Sequence, residues 1–151
     1  CPCGNTGCLE ALASGSAIGR LATEAAAAGQ LPPDSALRGQ LELTGKSVTL
    51  AAQAGDEFAI GILETCGFWL GVGIATLVNA LDPELVVVGG GAMQAGDLLL
   101  EPARTSFLDR LEGRGHRAAP DVVAAHLGDH AGMIGAALLA LDAAADRLPR
   151  T

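Results

Sequence analysis

A chain of 151 residues is the size of one ordinary domain and can bury roughly 70% of the surface its unfolded form exposes. Half of the residues are apolar but only 3% are aromatic, so the core must be closely packed Ala, Leu, Val and Ile, with backbones brought near one another by 21 glycines. A formal charge of −8, with nine scattered Lys and Arg, argues against a nucleic-acid partner, because that affinity comes largely from basic side chains displacing condensed counterions.

The chain opens on Cys1-Pro2-Cys3-Gly4-Asn5-Thr6-Gly7-Cys8, three thiols whose intervening glycines let the backbone curl around a central point. No basic stretch followed by an apolar run and a cleavage site stands there, so nothing marks export and a cytoplasmic location is expected. In that compartment a disulfide framework is disfavoured. Clustered thiolates suit zinc, which takes four ligands in a structural site, and three are supplied here. A redox or free-thiol cluster, or chance, are the other readings. Glu10 follows at the start of a helical stretch. It reads either as a first-turn carboxylate satisfying the helix dipole or as an acceptor for vicinal sugar hydroxyls, held beside a rigid knuckle.

From Leu9 to Ala28 the composition is helical, broken at Ser14-Gly15-Ser16, which predicts a short helix ending on Gly15 and a second one capped by a serine. Gln30 to Lys46 carries Pro32-Pro33, Gly39 and Gly45 and reads as a loop-rich connection in which Asp34 can cap a short turn. Ser47 to Ala54 reads as a short helix ended by Gly55. Asp56 then caps a long helix running to about Ala80, with Ile60, Leu63, Gly67, Leu70, Ile74, Leu77 and Val78 at three- and four-residue spacing. Gly67, Gly71 and Gly73 lower helix propensity, which predicts a side packed closely against another element. Cys66 lies in this apolar setting as a small hydrophobe. The apolar stretch Cys66 to Leu81, at roughly 16 residues, falls short of the ~20 a bilayer requires, so a buried helix and no membrane are expected.

Leu85 to Val88 is a β-branched apolar run, the pattern of a strand buried on both faces in a parallel sheet. After Gly89-Gly90-Gly91, Leu98 to Leu111 reads as a helix and Val122 to Ala125 as a second buried strand. Ala131 to Leu141 reads as a final helix, approached through Gly128-Asp129. This is an α/β layout. The triple glycine reads as a tight turn or, at the carboxyl end of a strand, as bare backbone against which a nucleotide can rest. It matches neither a dinucleotide fingerprint nor a phosphate-binding P-loop. His116, His126 and His130 lie far from the cysteines along the chain and read as surface or loop residues.

Cys1-Pro2-Cys3-Gly4-Asn5-Thr6-Gly7-Cys8-Leu9-Glu10, continued by Ala13-Ser14-Gly15-Ser16-Ala17-Ile18, resembles the signature Cys-x-Cys-Gly-x-x-Gly-Cys-x-Glu of the ROK family (repressors, open reading frames, kinases). The resemblance persists through Ala54-Gly55-Asp56, Asp82-Pro83-Glu84 and Leu127-Gly128-Asp129 to Gly135-Ala136-Ala137, nearly the whole chain. It implies that residues 1–151 are the carboxy-terminal lobe of an actin-like ATPase fold, shared with hexokinases, in which two α/β lobes close over sugar and ATP with Mg²⁺. It implies a zinc knuckle and sugar-contact segment at 1–10, with Cys1, Cys3 and Cys8 as structural zinc ligands and Glu10 as the sugar-contacting glutamate. It further implies a nucleotide-pocket segment at 82–93 containing Gly89, Gly90 and Gly91, and assembly as a dimer or tetramer.

The family's fourth zinc ligand is expected to be a histidine in a Glu-x-Gly-His motif shortly before the first cysteine. Its amino-terminal lobe carries an Asp-x-Gly-Gly-Thr phosphate loop and an Asn-Asp pair whose aspartate serves as general base. None of these motifs occurs in the chain, which by itself is expected to be catalytically incompetent. The leading expectation is a lobe of a glucokinase-like hexose kinase. The alternatives are the sugar-sensing lobe of a repressor, with no nucleic-acid contact through this lobe, and a non-catalytic zinc-stabilised dimerisation module.

Overall fold

The computed structural model describes residues 1–145; residues 146–151, the end of the lobe expected over 1–151, lie outside the described part. Its central element is α4, Glu57–Leu81, a helix of 25 residues. Its start is fixed by Asp56, whose Oδ1 accepts from the backbone N–H of Phe58 at 3.0 Å and of Ala59 at 3.1 Å. Asp82 ends it in the left-handed conformation at φ 46°. By length and composition α4 could cross a membrane, longer than the stretch read from sequence because the helix extends upstream of Cys66. Ala59, Ile62, Leu63, Cys66, Ile74 and Val78 are nevertheless buried against the rest of the domain, so it is a core helix. Burial pushes the Cys66 thiol up to about 11, which leaves it protonated, as expected of a small hydrophobe.

The glycine side of α4 receives α5, Asp97–Arg110. A methyl group on Gly67 would lie 2.5 Å from the Leu99 carbonyl oxygen and 2.9 Å from Cβ of Pro102, a proline inside α5. One on Gly71 would meet the Ala103 carbonyl, with Ser106 Cβ at 2.6 Å and Phe107 N at 2.9 Å. Polar groups at this seam are matched: the Ser106 hydroxyl donates to the Phe68 carbonyl at 2.8 Å, and Asn79 Nδ2 to the Arg110 carbonyl at 3.0 Å.

α5 is the crossover between two parallel strands, β1 (Leu85–Val88) and β2 (Asp121–Ala124), paired from Leu85↔Asp121 to Val88↔Ala124. Arg104 Nε ties the helix to the sheet by donating to the Val122 carbonyl at 2.8 Å. The expectation of strands buried on both faces is corrected here. Leu85 and Val87 are 51% and 56% exposed, and in β2 only Val122 is buried. The sheet has two strands among the described residues and α5 packs on one face, so the outward side chains have nothing over them. The last helix, α6, Ala131–Ala145, leaves Met133, Leu138, Leu139 and Leu141 exposed.

Upstream of α4 stand α1 (Leu9–Ala13), α2 (Gly15–Ala27) and α3 (Gly45–Gln53). Ser14 caps α2 by accepting from Ala17 N at 3.1 Å, so Gly15 opens the second helix rather than ending the first. α3 starts at Gly45, before the expected Ser47, because Thr44 and Ser47 exchange hydrogen bonds in a capping box. Gly45 lies where any side chain would strike the Gly15 carbonyl, which brings the starts of α2 and α3 together.

The loop between α2 and α3 is anchored through Asp56 as well. Its Oδ2 accepts from the Ser35 hydroxyl and the Ala36 N–H, each at 2.7 Å. Partial burial works to raise the carboxyl, but hydrogen bonds from Ser35, Ala59, Ala36 and Phe58 outweigh it and hold it below the ordinary value. A lowered value means that the contribution is complete above the ordinary carboxylate range and is lost as pH falls through the lowered one. Asp56→Ala is therefore expected to cost about 2 kcal/mol at neutral pH in urea unfolding. The gap to the parent should shrink in acid; a gap independent of pH would contradict the charged cap.

Candidate functional site

The three amino-terminal thiols come together. The Sγ atoms of Cys1, Cys3 and Cys8 all lie within 4.8 Å of one another, and Cys3 and Cys8 are 3.4 Å apart. Gly4 and Gly7 provide the turns at φ 85° and 75°, where other side chains would be strained. Hydrogen bonding from the Asn5 backbone and then from the Cys8 thiol lowers the Cys3 thiol below its ordinary value. A tetrahedral zinc–thiolate site with bonds of about 2.3 Å has sulfurs about 3.8 Å apart. The spacing and donor set therefore fit three corners of such a site, and no histidine joins them among the described residues.

Cys8 leads straight into α1 as its N-cap but makes no side-chain capping bond. Glu10, in the first turn, is exposed and has no hydrogen-bond partner among the described residues. It lines a hollow of about 340 Å³ with Leu70 of α4 and with Gly89, Gly90 and Gly91 at the end of β1. Glu10 and the triple glycine, read separately from the sequence, thus border one cleft.

The three glycines differ in what they do. Gly90, at φ 97°, makes the turn, and Gly89 packs 3.4 Å from the Ala125 side chain, measured from where its Cβ would stand. Gly91 opens a 3-10 turn, Gly91–Ala95, at a negative φ and has open space where a side chain would point. Gly91 lines both the first hollow and a second, of about 350 Å³, which shares Gly15, Gly91 and Ala92 with it and is walled by Ile18, Lys46, Thr49 and Gln94. Lys46 and Thr49 project from the first turns of α3. Thr49 is buried, and its hydroxyl has no partner among the described residues. Lys46 falls in a stretch that reads as a loop, although the Thr44-x-x-Ser47 capping pattern is a signal for an earlier start of α3; Thr49 falls inside the expected helix, but nothing local marks it as lining a hollow.

A larger hollow of about 620 Å³ lies between α4 and α5, over Ile60, Phe68, Leu98 and Pro102. It is a weaker candidate, since Glu101 and Asp109 at its rim are already paired with Arg104 at 2.5 Å and Arg114 at 3.2 Å.

The model of the ROK family matches residues 1–143. The chain is 43% identical over 143 residues to a glucokinase of Halalkalibacterium halodurans, covering 89% of the chain and 41% of that protein. It superposes with a TM-score of 0.81, at 38% identity, on a ROK family glucokinase from Streptomyces griseus solved with glucose and AMPPNP, covering 92% of the chain and 46% of that structure. It is also 33% identical over 139 residues to the DNA-binding transcriptional dual regulator NagC of Escherichia coli, covering 90% of the chain and 32% of the regulator. The chain thus spans less than half the length of each of these proteins.

Proposed function

The chain belongs to the ROK family, and from that premise we propose that it is the carboxy-terminal lobe of a cytoplasmic, ATP-dependent hexose kinase with an actin-like ATPase fold. The observation that carries the reading is the shared cleft: an unpartnered carboxylate, Glu10, at one end and a bare glycine floor running under Lys46 and Thr49 at the other. In this reading Glu10 accepts hydrogen bonds from adjacent sugar hydroxyls and fixes which hydroxyl faces the phosphate donor. Gly91 lets the nucleotide lie against backbone. Thr49 offers an unused hydroxyl, and Lys46 a cation beside the phosphates. Phosphoryl transfer asks a protein mainly for positioning and for compensation of charge, with Mg²⁺ bridging the phosphates. Glucose is the first candidate substrate, supported by the similarity to glucokinases, and N-acetylhexosamines are next.

Cys1, Cys3 and Cys8 would hold a structural zinc, which when bound contributes rigidity to the segment carrying Glu10 and takes no part in the transfer. The isolated chain supplies three ligands, so metal analysis after dialysis is expected to find less than one zinc per chain. A full equivalent held by one of the chain's own histidines would contradict this set. Dimeric or tetrameric assembly is part of the proposal.

The similarity to NagC favours one second reading, a lobe that senses sugar for a repressor. A zinc-stabilised dimerisation module would leave the cleft unused. The full protein carrying this lobe, supplied with ATP and glucose, is expected to form ADP only when the sugar is present. Sugar binding without turnover would favour the repressor, and binding of neither ligand the module.

A further inference from the structure

We propose that Arg20 and Gly73 are positioning residues that set where the Glu10 carboxylate stands, a proposal that rests on the sugar-contact reading of Glu10. α1 has five residues, none of them buried. A helix so short does not hold itself, because one turn fixes several backbone angles for about one hydrogen bond. Its direction must therefore be imposed from outside. Two contacts do so, one on each side of Glu10 in the chain.

On the preceding side, Leu9 rests on the surface of α4 where Gly73 has no side chain. A methyl group there would lie 2.7 Å and 2.9 Å from the two terminal carbons of Leu9. Gly73 is thus the seat of α1, distinct from Gly67 and Gly71, which receive α5. On the following side, Arg20 Nη2 donates to the Ala11 carbonyl at 2.8 Å. That carbonyl belongs to the last turn of α1 and has no acceptor role within the helix, so a guanidinium is a well-matched partner for it. The guanidinium is aimed by Glu24, one turn along α2, whose Oε1 takes Nη1 at 2.7 Å. Arg20 and Glu24 are 45% and 58% exposed, so this pair contributes little stability; its product is direction. With Leu9 seated and Ala11 clamped, the residue between them has one orientation, toward the cleft it shares with Gly89 to Gly91.

The test is a double-mutant cycle in the full protein, with glucose KM, ATP KM, kcat and melting temperature measured for Arg20→Met, Glu10→Gln and the pair. Arg20→Met is expected to raise the glucose KM about tenfold, since small misplacements of a positioning group are costly. ATP KM and melting temperature should stay near the parent's. In the Glu10→Gln background the same change should add less than about twofold, because a residue acting through Glu10 has nothing left to position. Arg20→Lys, which keeps a cationic donor without the fork, should recover part of the loss, and Gly73→Ala, which displaces the tip of Leu9, should reproduce the selective rise in glucose KM. Full additivity of the pair, or equal rises in both KM values, would overturn the proposal. A rise with Glu10→Gln but none with Arg20→Met would overturn it while leaving the sugar contact intact. No rise with Glu10→Gln would overturn the reading of Glu10 and this proposal with it.

Discussion

Replacing Glu10 by glutamine in the full protein is expected to lower kcat/KM for the sugar roughly 10- to 100-fold, with little change in melting temperature. The two roles open to this side chain at a helix start separate cleanly. As a dipole partner it would contribute about half a kilocalorie per mole of stability and nothing to sugar affinity, because helix-terminus charges act locally and weakly when exposed. As a sugar acceptor it makes charge-assisted hydrogen bonds, each worth about 1.5–3 kcal/mol, and its loss strands the sugar hydroxyls against a weaker partner. The carboxylate is exposed, has no partner among the described residues, and borders the cleft, which favours the second role. Michaelis constants and a thermal melt of the same variant decide it. Unchanged sugar kinetics beside a loss of stability would return Glu10 to a capping role.

Gly71→Leu is expected to cost about 3 kcal/mol, at the upper end of what overpacking usually does, and so to lower the melting temperature by roughly 6–12 °C. The reason is the nature of the obstacle. A side chain on Gly71 meets the Ala103 carbonyl and the Phe107 nitrogen, backbone atoms of α5 that can move only if the whole helix moves. α5 in turn is tied to β2 through Arg104 and to α4 through Ser106, so relief in one place disturbs another. The same helix supplies its own control. Gly61 has open space where a side chain would stand and a negative φ, so Gly61→Ala should be stabilising by about 0.5–1 kcal/mol through helix propensity alone. Thermal unfolding of both variants checks the pair; equal effects would contradict a glycine face built for α5.

Much of the fold is legible in the sequence where local chemistry and global packing agree. Asp56, the three- and four-residue spacing from Ile60 to Val78 and the interrupting glycines give α4 and its packed side before any coordinates. Ser14 is readable as a cap for the same reason. The exposure of Leu85 and Val87 is not readable, because a run of β-branched residues records what a strand prefers and not how many elements cover it. The start of α3 at Gly45 is hidden by a residue type that usually ends helices, and Lys46 is hidden with it, whereas Thr49 stands in the expected helix with no local sign that it lines a hollow. Glu10, the three cysteines and Gly89 to Gly91 can each be singled out in the sequence as candidates. That Glu10 and the glycines line one hollow cannot be read there, since it depends on how α1, α4 and the end of β1 come together, with Leu70 of α4 lining the same hollow.

Gly91 offers the most direct measurement of whether the glycine floor is a ligand surface and not merely a turn. Unlike Gly90 it needs no left-handed backbone, and nothing lies within 4 Å of where its side chain would begin, so Gly91→Val should fold with an unaltered melting temperature. Gly91 lines both hollows, so the valine would add bulk to the surface against which the nucleotide is proposed to lie. Calorimetric titration of the full protein with a non-hydrolysable ATP analogue is expected to show affinity reduced more than about tenfold, the loss that ~1.4 kcal/mol of obstructed contact produces. Nucleotide affinity equal to the parent's in a normally folded Gly91→Val protein would contradict the account.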